Sequence, residues 1–400
     1  MFKNLKNSKI FSYIKVHKLL FLVLTITLCS TLLIRILIKE SLTFPDWYVH
    51  NVYPFYINTI SRILSYIPFS MSEMLLIFLI LYLLVRFAFC LYRIIMKIFR
   101  HFTCISSTDE SLEEVKNISK KKKSVYRKVY SSFITLLLRI ITTISVLFLI
   151  YTLTCGINYH TTPFSSYLNL DMKESSSKEL KDLCLRLVNM CNEYSEKVPV
   201  NQKGLTTLPN HAKEIAVNAM NQLGKTYPSL SGYYPNPKPI LFSEFMSLQG
   251  LGGIYSPFTV EANYNNNMPD IDIPETMCHE LSHLKGFMRE DEAEFIAFLA
   301  CIHSDNVVFQ YSGALNSLVY CMNALYDNLG EKSYREVYNQ LLPGVKRELD
   351  ADYQYWHQYH GTLADIQDKV NDTYLKANSQ SAGVQSYGRM IDLLLAYYRE

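Results

Sequence analysis

The chain has 400 residues, 49% of them hydrophobic, with a formal net charge of +3 and nine cysteines. That length exceeds one ordinary core and suits two or three units. So small a net charge, with no Gly-rich phosphate loop and no base-reading helix or RNA-binding motif, argues against a nucleic-acid partner.

Three apolar runs occupy the first 155 residues, near 19–38, 71–95 and 133–155. Each approaches the roughly 20 residues needed to cross a bilayer. The first is longer than a signal-peptide core, and no clean small-x-small cleavage site follows it. Lys3, Lys6, Lys9, Lys15 and Lys18 precede the first run. Lys97, Arg100, Lys116, Lys120 to Lys123, Arg127 and Lys128 lie between the second and third. The segment from Ser41 to Ser70, between the first and second, holds only Arg62. By the positive-inside rule both basic flanks are cytoplasmic, and everything after about residue 156 lies outside the cell. The expected protein is therefore a multi-pass one with the lipid bilayer as partner and a cytoplasmic N-terminus. The outer loop 41–70 is rich in aromatic and aliphatic residues. It reads either as an interfacial helix or as a segment packed on the outer domain. The Ser-, Lys- and Glu-rich stretch Ser106 to Ser124 reads as disordered.

Beyond a linker at 158–177, apolar residues recur at helical spacing: Leu180, Leu183, Leu187 and Met190, then Ile215, Ala219 and Leu223. The segment from Gly250 to Asn266, with glycines, β-branched residues and aromatics, reads as an irregular strand or hairpin. From about Val307 onward the pattern is helical again, with Leu318, Met322 and Leu325, and later Met390, Leu393, Leu394 and Tyr397. The cysteines form no CxxC pair. Cys184 and Cys191 could meet on one helix face, but isolated buried thiols are the plainer reading.

The segment from Thr276 to Ser304 carries chemistry. His279-Glu280-Leu281-Ser282-His283 is an HExxH sequence, and on a helix residues four apart share a face, so both imidazoles can address one metal ion. Neutral imidazole suits zinc. Glu280, beside the first histidine, can act as general base toward water activated by the metal. Chance alone would place an HExxH in roughly one of every hundred chains this long, so the context has to decide. Pro274 is a helix-start signal and Gly286 a plausible terminator. An acidic group follows at once. On a helix from Glu290 to Ser304, Glu290 and Glu294 share a face one turn apart. One can supply the third ligand and the other a hydrogen bond to a ligating histidine. Glu290 as ligand with Glu294 in support is the preferred order, and the reverse stays open. Asp291 and Glu292 read as a solvated helix N-terminus.

HExxH followed by Glu290-x-x-Ala293-Glu294 resembles the glutamate-ligand zincins, among them integral-membrane metallopeptidases. The resemblance implies His279, His283 and Glu290 as zinc ligands, Glu280 as base and Glu294 as support. Only six residues separate His283 from Glu290, fewer than in most such families, and a turn at Gly286 would be needed. The whole chain, with three N-terminal spans and then "PKPILFSEFMSLQGLGGIYSPFTVEANYN" and "CHELSHLKGFMREDEAEFIAFLAC", resembles an uncharacterised bacterial membrane family with an HExxH signature. The expected architecture is an α-helical anchor of three transmembrane helices, residues 1–155, followed by a mostly helical α+β zincin-like extracytoplasmic domain, residues 156–400.

The expected function is that of a membrane-anchored zinc metallopeptidase with polypeptide substrates at or near the membrane. The alternatives are a metal-binding sensor without turnover and a zinc amidase acting on cell-wall material. By analogy with zincin folds, Gly253 to Asn265 would supply a sheet edge beside the cleft, with Glu261 and Asn263 lining it or merely facing solvent. Tyr311 as an oxyanion donor and His303, His357 and His360 as further ligands are weaker than ordinary packing or surface roles.

Overall fold

The computed structural model describes residues 13, 16–104, 112–168, 170 and 172–399. Lys3, Lys6, Lys9 and Lys15 lie outside them, as does the expected disordered stretch as far as residue 111. In chain order the helices are α1 (Lys18–Glu40), α2 (Phe44–Asn51), α3 (Met71–Cys104), α4 (Leu112–Thr154), α5 (Ser177–Ser195) and α6 (Ala212–Thr226). The short strand β1 (Lys238–Pro239) follows, then α7 (Ser243–Ser247), β2 (Gly253–Ser256) and β3 (Glu261–Tyr264). Six helices complete the chain: α8 (Ile273–Lys285), α9 (Glu290–Ile302), α10 (Val307–Tyr338), α11 (Pro343–Gln358), α12 (Thr362–Ala377) and α13 (Met390–Arg399).

Contacts divide the chain into two units, one of Met1–Leu37 with Met74–Thr152 and one of Ile38–Glu73 with Leu153–Glu400. Among the described residues three helical segments are long and apolar enough to cross a membrane, Lys18–Glu40, Met71–Met96 and Tyr130–Thr154, and the first unit holds most of each. Where α1 and α4 meet, small polar groups join them: Thr27 Oγ1 and Ser145 Oγ are 2.6 Å apart and buried. Close approach of small side chains with an interhelical hydrogen bond is how helices associate where no hydrophobic force separates them from lipid. The most apolar window of α3 buries none of its residues against protein. The expectation of disorder through Ser124 fails from Leu112, where α4 begins. Its Glu- and Lys-rich start has straight-chain residues that lose little freedom in a helix, and no Gly or Pro interrupts it before Thr154. Extending an existing helix also avoids the cost of nucleation.

The second unit takes in residues 38–73, so the division does not fall at 155/156. Of the two readings of the loop 41–70, packing onto the larger unit is what occurs. Tyr53 is fully buried; its hydroxyl donates to Leu284 O and meets Tyr255 Oη, both at 3.0 Å. Tyr48 donates to Leu153 O at 2.8 Å, and Asp46 accepts from Thr162 N and Thr162 Oγ1. At the start of the second apolar segment, Glu261 accepts from Met71 N and Ser72 N at 3.1 Å and pairs with Lys238. A carboxylate suits the exposed N–H groups of a helix N-terminus.

The three-stranded sheet has the order β1-β3-β2, with β1 parallel and β2 antiparallel to β3. This is the expected hairpin, with β2 at one edge. Helix α5 starts in a reciprocal cap between Ser176 and Glu179 and packs along α10. Its Leu180, Leu183 and Leu187 are buried as the spacing predicts. On α6 the buried face is Ala216, Ala219, Met220 and Leu223, so Ile215 lies at its margin. Cys184 interacts with Cys321, and Cys278 with Cys301. Cys184 and Cys191 are both free and buried.

Tyr53→Ala should destabilise the second unit by about 3–5 kcal/mol, the usual cost of emptying a buried aromatic site. Thermal unfolding of the full chain in detergent would show it as a clear fall in midpoint, and an unchanged midpoint would contradict this role for the 38–73 segment.

Candidate metal centre

Helix α8 begins with Pro274 in its first turn, where a missing N–H costs nothing. It ends at Gly286, whose φ of +111° is left-handed. Gly286 N donates to His283 O at 2.9 Å and Phe287 N to Ser282 O at 3.1 Å, the paired bonds of a glycine C-terminal cap. This reversal has two consequences. It brings Phe287 O to 2.8 Å from His283 Nδ1, which leaves Nε2 to face the other way. It also starts α9 at Glu290, against the histidine face of α8.

His279 Nε2 and His283 Nε2 each lie 3.3 Å from Glu290 Oε2. All three residues are buried, and their ligand atoms lie within 4.8 Å of one another, close enough to hold one metal ion. The two rings stand perpendicular, with centroids 4.6 Å apart. Glu290 Oε2 and Glu280 Oε2 are buried without a hydrogen-bond partner. Glu294 Oε1 is 3.5 Å from His279 Nδ1, and its carboxylate is held by Asn316 Nδ2 at 3.1 Å and Tyr320 Oη at 3.4 Å. The sequence left the order of Glu290 and Glu294 open; in the fold Glu290 faces both Nε2 atoms and Glu294 faces Nδ1.

Burial opposes the charged form of both histidines, but the carboxylates outweigh it. Glu294, with Glu290 and Glu280, holds His279 well above the ordinary imidazole range, and Glu290 raises His283. Burial alone would raise Glu290; His283 and His279 overcome that and hold its carboxyl below the ordinary range. Burial pushes Glu280 up to about 7, against the pull of His279 and His283. The carboxylates around the two imidazoles thus favour positive charge at the centre of the group.

Strand β2 runs against Glu280. A Cβ at Gly253 would clash with Glu280 Oε1. Only glycine lets the strand backbone come this close.

Other expectations fare differently. Glu292 is not solvated: it is buried, accepts from Phe164 N at 3.0 Å and pairs with Arg289 at 2.7 Å. A tertiary partner arriving from residue 164 covers what would otherwise be an exposed helix start. Glu261 and Asn263 are buried and bonded within the sheet region, so they neither face solvent nor line the centre. Tyr311 is buried and interacts with Cys191 and Glu348, a packing position. His303 sits beside Tyr397 Oη at 3.4 Å, and His357 and His360 line a separate cleft.

Sequence reasoning missed Glu275. It is buried and with His279 and Glu294 forms a second cluster of possible ligands. Its position four residues before His279 was the available signal. Asn316 and Tyr320 were missed because nothing local marks them; they reach Glu294 from α10. A cleft of about 230 Å³ opens on this side, lined by Glu275, Glu294, Asp272, Asp352, Tyr320 and Trp356 among others.

Fold and site together define a mostly helical protein with three membrane-length apolar helices and a buried histidine–carboxylate centre. A family model described as "Protein of unknown function (DUF3810)" matches residues 48–395, and the chain belongs to that family. No curated protein and no solved structure matches it.

Gly253→Ala should lower stability by about 1–3 kcal/mol through overpacking. In a Glu280→Ala background most of that loss should vanish, since the clashing carboxylate is gone. Thermal midpoints of the four proteins of this cycle measure it, and simple additivity would disprove the contact.

Proposed function

We propose that this protein is a membrane-anchored zinc-dependent metallopeptidase with a zincin-like catalytic unit, acting on peptide bonds of extracytoplasmic or membrane-proximal proteins. The observation that carries this reading is the pair of 3.3 Å separations from Glu290 Oε2 to His279 Nε2 and His283 Nε2. Zinc binds imidazole nitrogen at about 2.0–2.1 Å and carboxylate oxygen at about 2.0–2.2 Å, which puts neighbouring ligand atoms of a tetrahedral site about 3.3–3.5 Å apart. The donor set of two histidines and one carboxylate also fits a catalytic site, which keeps a fourth position open. Glu290 Oε2 lacks a hydrogen-bond partner although it is buried, a costly state that a bound metal ion would relieve.

His279, His283 and Glu290 would hold the ion. Zinc so held would supply Lewis acidity toward a substrate carbonyl and toward water near neutral pH. Phe287 O orients His283, and Glu294, fixed by Asn316 and Tyr320 and 3.5 Å from His279 Nδ1, would orient His279. Glu280, next to His279 and with Oε2 unpartnered, would accept a proton from water at that oxygen and pass it to the leaving amine. The edge of β2, held against Glu280 at Gly253, would pair with an extended substrate backbone. The lysine- and arginine-rich flanks support an orientation with this unit outside the cell.

The test is metal content and casein hydrolysis by the full chain in detergent. We expect near-stoichiometric zinc, lost in a His279→Ala/His283→Ala double variant. Glu280→Gln should keep the zinc and lose hydrolysis by about 10²–10⁴-fold. Zinc without hydrolysis in the unsubstituted protein would favour a metal-binding sensor. A folded protein that takes up no zinc would sink the assignment.

A further inference from the structure

Two exposed apolar surfaces of the second unit are tied to residues at the ends of apolar membrane-length helices. The first follows β1. Leu241 and Phe242 are each 63% exposed and Phe245 56%. The backbone N–H groups of Leu241 and Phe242 donate to the two carboxylate oxygens of Glu73, each at 2.9 Å. Glu73 belongs to the first turn of α3, the helix that carries the second apolar segment.

The second surface is on α12. Leu363, Ile366 and Val370 are 48%, 51% and 56% exposed. With Tyr374 they are spaced three, four and four residues apart, one stripe of a helix. The stripe is not the packed side of α12, whose buried residue is Leu375. Its end at Tyr374 meets Cys155 Sγ at 3.5 Å and Tyr159 Oη at 3.2 Å. Cys155 directly follows the last residue of α4, Thr154, where the third apolar segment ends.

Single exposed apolar residues are ordinary on any protein surface. Here they gather in two groups from distant parts of the sequence, and each group is hydrogen-bonded to the point where the chain enters or leaves an apolar helix. Such a point lies at headgroup level when the helix spans a bilayer. We propose that the second unit rests on the lipid surface in which the chain's own helices sit, with the Leu241–Phe245 stretch and the α12 stripe entering the boundary between headgroups and acyl chains. Amphipathic helices and aromatic-rich loops bind there by burying their apolar side while the polar side stays in water. Continuity with the membrane helices favours lipid over a second copy of the chain as the occupant. The proposal does not depend on the metal reading.

The full chain would be reconstituted into phosphatidylcholine–phosphatidylglycerol vesicles whose lipids carry a diazirine at the headgroup end of the acyl chain. After irradiation, adducts are mapped by peptide mass spectrometry. Peptides covering 240–249 and 361–377 should be labelled several-fold above the loop around Val200, which is just as exposed at 54%. A Leu241→Ser/Phe242→Ser/Phe245→Ser variant should lose adducts in the first peptide and keep those in Met71–Met96, which shows that it is still inserted. Labelling of both peptides only at the level of the Val200 loop would overturn the proposal. So would their protection in a crosslinked dimer that carries no lipid adduct there.

Discussion

The geometry of the centre depends on one backbone reversal. Gly286 takes a left-handed conformation that would strain a residue with a Cβ. Through it, α8 stops two residues after His283 and α9 starts at Glu290, on the same side. Without that turn the two imidazoles would share a helix face with nothing opposite them. With it, Phe287 O closes on His283 Nδ1 and Glu290 Oε2 closes on both Nε2 atoms. The short spacing between motif and third carboxylate is what so tight a turn permits.

Around this turn the protein buries an unusual load of charge: His279, His283, Glu275, Glu280, Glu290, Glu292 and Glu294 are all buried. Buried charges persist only when paired or when they serve a ligand. The outer members of the group follow the first course, since Glu292 has Arg289 and Phe164 N, and Glu294 has Asn316 and Tyr320. The inner oxygens of Glu280 and Glu290 have no hydrogen-bond partner. This contrast between the bonded Glu292 and Glu294 carboxylates and the unsatisfied oxygens of Glu280 and Glu290 underlies the proposal of a metal there.

The segment between the first two apolar helices belongs physically to the larger unit. Tyr53 enters its core beside Leu284, on the last turn of the helix that carries both histidines. The chain leading into the second apolar helix is fastened by Glu261, and Glu73 fastens the strand-following loop in return. The larger unit is thus built from two pieces of chain with membrane-length helices between them.

Local pattern determined a good part of this. Three long apolar runs, the helical spacing at Leu180, Leu183 and Leu187, the Pro274 and Gly286 boundaries and the i, i+4 histidines were legible because each depends on neighbours within a few residues. The choice between Glu290 and Glu294 was not legible, since both lie on one face of α9 and only the docking of α8 decides which meets Nε2. Glu292 looked solvated because its partner comes from residue 164. Asn316, Tyr320 and Tyr53 left no trace because their contacts span from 22 to more than 200 residues. The sequence by itself determined which residues could bind and on which helices they stand. Tertiary packing alone decided which atoms face one another, because periodicity carries the orientation of a side chain about its own helix and says nothing of the helix placed opposite.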